Sequence, residues 1–424
     1  MLVYVLDINN RPLMPTKRFG KVRRMLRDGK AKAVRKEPFT IKLSYEPKTN
    51  VVQPVTLGVD TGSDKVGTAA IANDTVVYAS EVQIRNDISK KMSSRRTNRN
   101  NRRSRKTRYR KPRFLNRKKS IKKDRFSPTM VSKINSHIRA IEFIKSILPI
   151  STLVLETGTF DPHLLKMEGK PFNRHWGYQK GPNYGFGNSK AACLNRDNYT
   201  CQCCKTKKGT LHAHHIIYRR NGGADTLDNL ITLCEGCHKK LHRGELKTFE
   251  SKLKGKKKGT LKHATQMNSI RKQLLRHYQD AIETFGFITK ENRQLLGLQK
   301  THIIDACVIA SQGESFDWNL WCFKKRHIPK QERILCKGIR GEKQIPTGKI
   351  FGFRRYDKVQ YFGINCFVKG RRSSGYFILS DVNNESIDFR SLGGRSNPNY
   401  KLLTRLNARC STLCIKAKTT VNTV

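Results

Sequence analysis

Val55–Gly62, V-T-L-G-V-D-T-G, is an apolar run that stops on a carboxylate and a glycine. It reads as a buried strand ending in a turn. K-V-G-T-A-A-I-A-N (65–73) and T-V-V-Y-A-S-E-V (75–82) follow with turn residues between them, so a three-strand meander is expected over 55–84. The same pattern recurs in S-T-L-V-L-E-T-G (151–158), where an apolar strand ends in Glu156. T-H-I-I-D-A-C-V-I-A-S (301–311) reads as a buried helix, and its His302 and Asp305 lie three apart and so share a face. A single Asp at a strand end is a common turn device. Three acids and a histidine together are the ligand set for two Mg²⁺ (or Mn²⁺) ions about 4 Å apart, the apparatus that cuts a phosphodiester. Asp60, Glu156, His302 and Asp305 are therefore candidate catalytic residues, with the three carboxylates as ligands.

The surrounding composition points the same way. The chain has 424 residues, with 86 Lys and Arg against 32 Asp and Glu, a formal net charge of +54. That length predicts two to four domains. That charge excludes an ordinary small-molecule enzyme and calls for a polyanionic partner. Residues 90–125 are the extreme, with 19 Lys or Arg against one acid, Asp124. Arg95, Arg99, Arg102, Lys106 and Arg110 fall three or four apart on one face of an expected helix. With Arg96, Arg103, Arg105 and Arg108 they are the candidate nucleic-acid contacts. No apolar run is long enough to span a membrane. The N-terminal residues lack a secretory pattern. Twelve cysteines, four of them in C-x-x-C pairs, suggest metal binding in a reducing compartment. The expected location is the cytoplasm, with action at the nucleoid.

The cysteines gather in Y-T-C-Q-C-C-K-T-K-K-G-T-L-H-A-H-H-I-I-Y-R-R-N-G-G-A-D-T-L-D-N-L-I-T-L-C-E-G-C-H-K-K-L-H, Tyr199–His242. Cys201, Cys204, Cys234 and Cys237 form two knuckles, the closed tetrahedral set of structural zinc. Cys203 offers a second ligand beside Cys204. Between and after the knuckles stand His214, His215, Asn229 and His238. His215 suits a general base. His214, Asn229 and His238 suit a divalent ion that stabilises charge on a phosphorane. His212 is expected in the supporting strand.

Elsewhere, Val3–Leu6, Ala31–Val34 and Phe39–Tyr45 read as strands and Lys17–Arg27 as a short basic helix. Ser127 and Pro128 open an amphipathic helix, and His263–Thr284 reads as another. The last hundred residues read as β-rich.

The Cys/His cluster resembles the HNH, or ββα-metal, nuclease motif. The three acid-bearing segments resemble the split motifs of a RuvC-type domain of RNase H fold. Their order, with the Arg-rich helix after the first part and the HNH segment inserted after the second, resembles the IscB family. These are transposon-encoded RNA-guided nucleases related to type II CRISPR effectors. N-R-P-L-M-P (Asn10–Pro15) resembles the PLMP motif of their first domain. F-G-F-R-R-Y-D-K-V (351–359) and G-R-R-S-S-G-Y-F (370–377) resemble their C-terminal region more loosely.

The resemblance implies a multidomain α/β protein. Its parts would be PLMP at 1–54, RuvC-I at 55–88, the bridge helix at 89–125, and RuvC-II with a linker at 126–180. HNH would follow at 181–248, RuvC-III at 249–325, and a β-rich C-terminal domain at 326–424. It further implies a monomeric ribonucleoprotein with a noncoding guide, the ωRNA, which pairs with one strand of double-stranded DNA. HNH would cut that strand and RuvC the displaced one, beside a short target-adjacent motif. A guide-independent HNH homing-type endonuclease explains the knuckles and His215 but not the split acids. A lone junction resolvase leaves the HNH segment unexplained. A non-catalytic RNA-guided binder requires decayed motifs, and none is decayed.

Overall fold

The computed structural model describes residues 2–47, 51–103, 126–158, 186, 188–218, 221, 223, 226–254, 262–317, 321–329 and 348–418, a few of them by backbone alone. The chain divides into two compact units: Met1–Gly158 with Met267–Val424, and Thr159–Gln266.

The elements run β1 (Val3–Leu6), β2 (Pro12–Thr16), α1 (Phe19–Arg27), β3 (Ala31–Lys36), β4 (Phe39–Leu43), β5 (Thr56–Asp60), β6 (Lys65–Ala72) and β7 (Thr75–Gln83). Then come α2 (Ile88–Arg103), α3 (Pro128–Lys145) and β8 (Thr152–Thr157). The second unit adds α4 (Ser189–Arg196), β9 (Leu211–His215), β10 (Leu230–Cys234), α5 (Glu235–His242) and α6 (Lys247–Lys254). The chain returns through α7 (Lys262–His277), β11 (Ile282–Phe285), α8 (Gly286–Leu295), α9 (His302–Ser311) and β12 (Trp321–His327). It closes with β13 (Lys358–Tyr361), β14 (Ile364–Arg371), β15 (Phe377–Ser380), β16 (Thr404–Asn407) and β17 (Thr412–Lys418). Among the described residues, no helix is long and apolar enough to cross a membrane.

The N-terminal sheet has the order β2-β1-β4-β3. The P-L-M-P residues form β2. Its two prolines cannot donate to a ladder, and it occupies the sheet edge, where that costs least.

The larger sheet is mixed, in the order β11-β8-β5-β6-β7-β12-β17. Its first three strands after the N-terminal sheet form the expected meander, β5 to β6 to β7, all antiparallel neighbours. On one face Leu57, Val59 and Val66 pack with Ile134, Ile141 and Ile144 of α3 and with Ile270 and Leu274 of α7. Ser127 caps α3 as expected, its hydroxyl accepting from the Met130 amide at 3.4 Å. On the other face Ala69, Ile71 and Ala79 pack with Ile303, Ala306, Cys307 and Ala310 of α9. Every residue of α9 from Ile303 to Ala310 is buried, which explains why 301–311 is apolar almost throughout.

Two glycines let α9 close on the sheet. A Cβ on Gly58 would run into the Ala306 carbonyl, and one on Gly67 would overlap the His302 carbonyl. Both obstacles are backbone and cannot swing aside. Gly67→Ala is expected to destabilise the first unit by about 3 kcal/mol, the upper part of the range for overpacking. Urea denaturation of the two proteins, followed by tryptophan fluorescence, measures it; equal midpoints would contradict this packing.

Two sequence expectations change. The helix expected over His263–Thr284 ends at His277, and Ile282–Phe285 is an edge strand paired parallel with β8. β17, expected in the C-terminal domain, pairs with β12 in the large sheet. The C-terminal sheet proper is β15-β14-β13-β16, around Val359, Val368, Phe377 and Phe389. Its strands satisfy the expectation of a β-rich end, but the chain then leaves it.

Candidate active sites

The acid cluster follows from strand register. β5 and β8 are parallel, and Asp60 sits directly beside Glu156. The Thr61 hydroxyl donates to the Glu156 carbonyl at 2.6 Å, holding the two strand ends together. Thr301 caps α9, its hydroxyl accepting from the Ile304 amide at 3.1 Å. That cap starts the helix so that His302 and Asp305 occupy its first turn. His302 Nδ1 lies 2.6 Å from Asp60 Oδ2. The four residues expected to act together are thus brought to one end of the sheet.

Crowded carboxylates hold their protons. Burial, then the Asp60 and Asp305 charges, push Glu156 up to about 7, against the Thr289 hydroxyl and Lys300. Burial and the Asp60 charge push Asp305 up to about 6, against Arg293, Lys300 and His302. His302 is raised by its hydrogen bond to Asp60, against its burial. The cations beside this set do not balance its carboxylates, and a divalent ion with oxygen preference fits it.

One partner escaped sequence reading. Arg293 of α8 is nearly buried and its Nε is 2.9 Å from Asp305 Oδ1. Nothing in Glu291–Leu295 singles it out; only tertiary packing pairs it with an acid 12 residues on. Gly286, at the start of the same helix, leaves room for Glu156, whose Oε1 a Cβ there would meet at 3.0 Å.

The second unit builds two clusters on a hairpin and a helix. β9 and β10 pair antiparallel, with His214 opposite Ile231 and Cys234 opposite Leu211. Cys234 ends β10 and caps α5, its sulfur accepting from the Cys237 amide at 3.5 Å. The sulfurs of Cys201, Cys204, Cys234 and Cys237 lie within 4.8 Å of one another, and Cys204 and Cys234 are 3.6 Å apart. A tetrahedron with the usual Zn–S bond has edges of about 3.8 Å. The four-cysteine set therefore fits structural zinc, with Cys204 in the cluster and Cys203 packed beside it.

The histidines differ from expectation in two ways. The ring nitrogens of His214, His238 and His242 lie within 4.8 Å of one another, and Nε2 of His238 and Nε2 of His242 are 3.2 Å apart. His242 was absent from the sequence reading. Its spacing of four from His238 on α5 was the available signal, since i and i+4 share a helix face. Asn229, expected as a ligand, has both ends of its amide engaged by the chain after β9. Oδ1 accepts from the Ile217 amide at 2.9 Å, and Nδ2 donates to the Ile217 carbonyl at 3.1 Å. It clamps the loop that follows His215. Burial, then the charges of His238 and His242, lower His214 to about 4. His238 is lowered as well, by burial and then by His242 and His212. Neutral imidazoles are ready ligands, and a set of three favours a borderline transition ion over the Mg²⁺ expected there. His215 is the residue beside His214 at the end of β9. His212 lies two back, its ring stacked on His238 at 5.2 Å between centroids.

Of the basic residues, Arg95, Arg96 and Arg99 lie exposed on α2. Arg102 and Arg103 end that helix, without described side chains. Arg105, Lys106, Arg108 and Arg110 lie outside the described residues.

Comparison with known proteins agrees with the second unit. Residues 201–244 match the HNH endonuclease family, and residues 3–181 match the family described as RRXRR protein. Anaredoxin from Nostoc sp. is 36% identical over 69 residues, 16% of this chain and 90% of that protein. The type IV methyl-directed restriction enzyme EcoKMcrA of Escherichia coli is 53% identical over 32 residues, 8% of this chain and 12% of that enzyme.

Proposed function

We propose that this chain, whose residues 201–244 match the HNH endonuclease family, is an RNA-guided DNA endonuclease of the IscB type with two cutting sites. The observation that carries this is the pairing, in one chain, of an acid cluster in the first unit with a histidine cluster in the second. A duplex has two strands, and two separate sites suit one cut in each. The +54 charge and the exposed arginines of α2 support a bound polyanion larger than the cut site itself.

In this reading Cys201, Cys204, Cys234 and Cys237 hold zinc, His214, His238 and His242 hold one catalytic ion, and Asp60, Glu156 and Asp305 hold Mg²⁺ or Mn²⁺. Bound there, the catalytic ions supply Lewis acidity and charge at the phosphodiester. The chain's own groups do the rest. His215 takes the proton of the attacking water at the HNH site. His302 does the same at the acid site, its Nδ1 side held by Asp60. Arg293 pairs with one oxygen of Asp305. Asn229 fixes the loop after His215. The HNH site cuts the guide-paired strand, and the acid site, a RuvC-type centre split across β5, β8 and α9, cuts the displaced strand. The PLMP region, bridge helix and β-rich C-terminal region hold the guide and read the target-adjacent motif, as a monomer acting at the nucleoid in the cytoplasm.

The test is RNA recovery. The chain is expressed with its flanking noncoding DNA, purified at high salt, and its bound RNA sequenced. One discrete RNA with a variable end and a structured body is the expected result. Random host RNA would favour a guide-independent endonuclease, the reading that the similarity to a restriction enzyme supports.

A further inference from the structure

A cleft of about 1040 Å³ opens in the first unit between α2, α3, the end of β12 and residues 409–411. It is at the upper end of the size of small-molecule sites. Five cations line it, Arg85, Lys91, Arg95, Arg139 and Arg409, and among the described residues no acid does. Three are committed within the fold. Arg85 and Lys91 both pair with Asp87, at 2.9 and 2.5 Å, and Arg409 donates to the Pro329 carbonyl at 2.8 Å. Arg139 lines the cleft and makes no hydrogen bond or ion pair among the described residues.

The cleft also contains an unsatisfied polar group. His327 is 5% exposed, lines the cleft, and has a buried Nδ1 with no hydrogen-bond partner among the described residues. Leaving such a nitrogen unpaired is costly, and a ligand acceptor or donor would recover that cost. Phe126, Met92 and Val131 supply an apolar wall, and Ser132, Asn135 and Ser411 supply neutral donors and acceptors. Cations without acids select phosphate, an aromatic among apolar neighbours suits a base face, and hydroxyl and amide groups suit a 2′-hydroxyl.

We propose that this cleft seats an unstacked nucleotide of the bound RNA, with its phosphate on Arg139 and its base against Phe126 and Met92. The inference rests on the reading of the chain as an RNA-binding nuclease and assigns one RNA subsite to it. It places that subsite at the root of α2, so RNA ordered there would also be delivered to the exposed arginines of the helix.

The probe is a fluorescein-labelled single-stranded RNA of 20 nucleotides, with DNA of the same sequence as comparison, titrated with the full chain from 100 to 300 mM KCl. Arg139→Ala is expected to weaken RNA binding at least fivefold at 150 mM and to reduce the salt slope by about 1. Phe126→Ala is expected to weaken it about fivefold with the slope unchanged, because stacking carries no charge. Lys32→Ala, an exposed cation of β3 away from the cleft, serves as the charge control. Urea midpoints within error of the parent show that each variant is folded; a Phe126 variant that unfolds leaves Arg139 as the deciding test. An Arg139→Ala effect no larger than that of Lys32→Ala overturns the proposal. Equal losses for RNA and DNA overturn the RNA assignment. A parent chain that recovers no discrete RNA from cells but loses RNA affinity on Arg139→Ala would sink the guided reading and leave the subsite standing.

Discussion

Asp60→Ala is expected to convert the protein into a nickase that still cuts the guide-paired strand. Cutting of the displaced strand should fall about 10³-fold or more, equivalent to about 4 kcal/mol of transition-state stabilisation. Asp60 stands beside Glu156 on the neighbouring strand and 2.6 Å from His302. It is therefore the group through which the strand pair and α9 meet, and in the proposed reading its loss removes a ligand and the partner of a base together. Strand-labelled plasmid with the recovered RNA reads each cut separately. Persistent double-strand breaks would refute the assignment. The acid site should also respond to pH in a definite direction. Glu156 and Asp305 are raised to about 7 and about 6, so between pH 6 and 8 they shed protons that compete with the ion. Displaced-strand cutting at limiting Mg²⁺ should therefore rise over that range. The same protons have the opposite sign for folding. A carboxyl whose folded pKa is raised stabilises the fold at low pH, and that contribution is lost as pH rises through about 7.

How much of this was legible beforehand depends on whether the signal was local. The acids were legible because each ends an apolar run: Asp60 after T-L-G-V, Glu156 after T-L-V-L, Asp305 inside a helix with no polar face. Burial forces such residues to be explained. The zinc knuckles were legible because ligand spacing is itself local. Arg293 was not, because its buried pairing with Asp305 depends on how α8 packs against α9. His242 was half legible: its i, i+4 relation to His238 was in view, but only the closeness of both rings to His214 makes it a candidate ligand. The part of Asn229 was not legible for the converse reason. An amide in a histidine-rich segment suggests a ligand, whereas its hydrogen bonds to Ile217 make it a clamp. The strand at Ile282–Phe285 was read as helix because Met267, Ile270, Leu274 and Tyr278 keep helical period up to its threshold, and the β-branched Ile282 and Thr284 beyond it were too few to break the pattern. β17 could not be placed from sequence, since its partner β12 lies some 85 residues earlier.

Cys234→Ser is expected to separate the two sites in the opposite sense. Cys234 does two things in the second unit: it supplies one of four clustered sulfurs, and it caps α5, the helix that carries His238 and His242. The apolar core around them is small, with Leu233 and Leu241 at its centre beside Cys201. A core of that size leaves folding dependent on the metal, whose binding in small zinc domains is worth about 10–16 kcal/mol. Losing one thiolate should therefore release zinc, melt the ββα arrangement and reduce guide-paired-strand cutting about 10³-fold or more, with displaced-strand cutting retained within a few fold. Bound zinc, measured by metal analysis, should fall from about one per chain to near zero. His214→Ala supplies the contrast. It removes a catalytic ligand from the same hairpin but leaves the four sulfurs intact, so it should abolish the same cut with zinc retained. A Cys234→Ser protein that lost zinc and kept HNH cutting would show that the sulfur cluster does not hold the site together. A His214→Ala protein that lost zinc would show that the two clusters fold as one, and that the histidines help build the unit as well as cut.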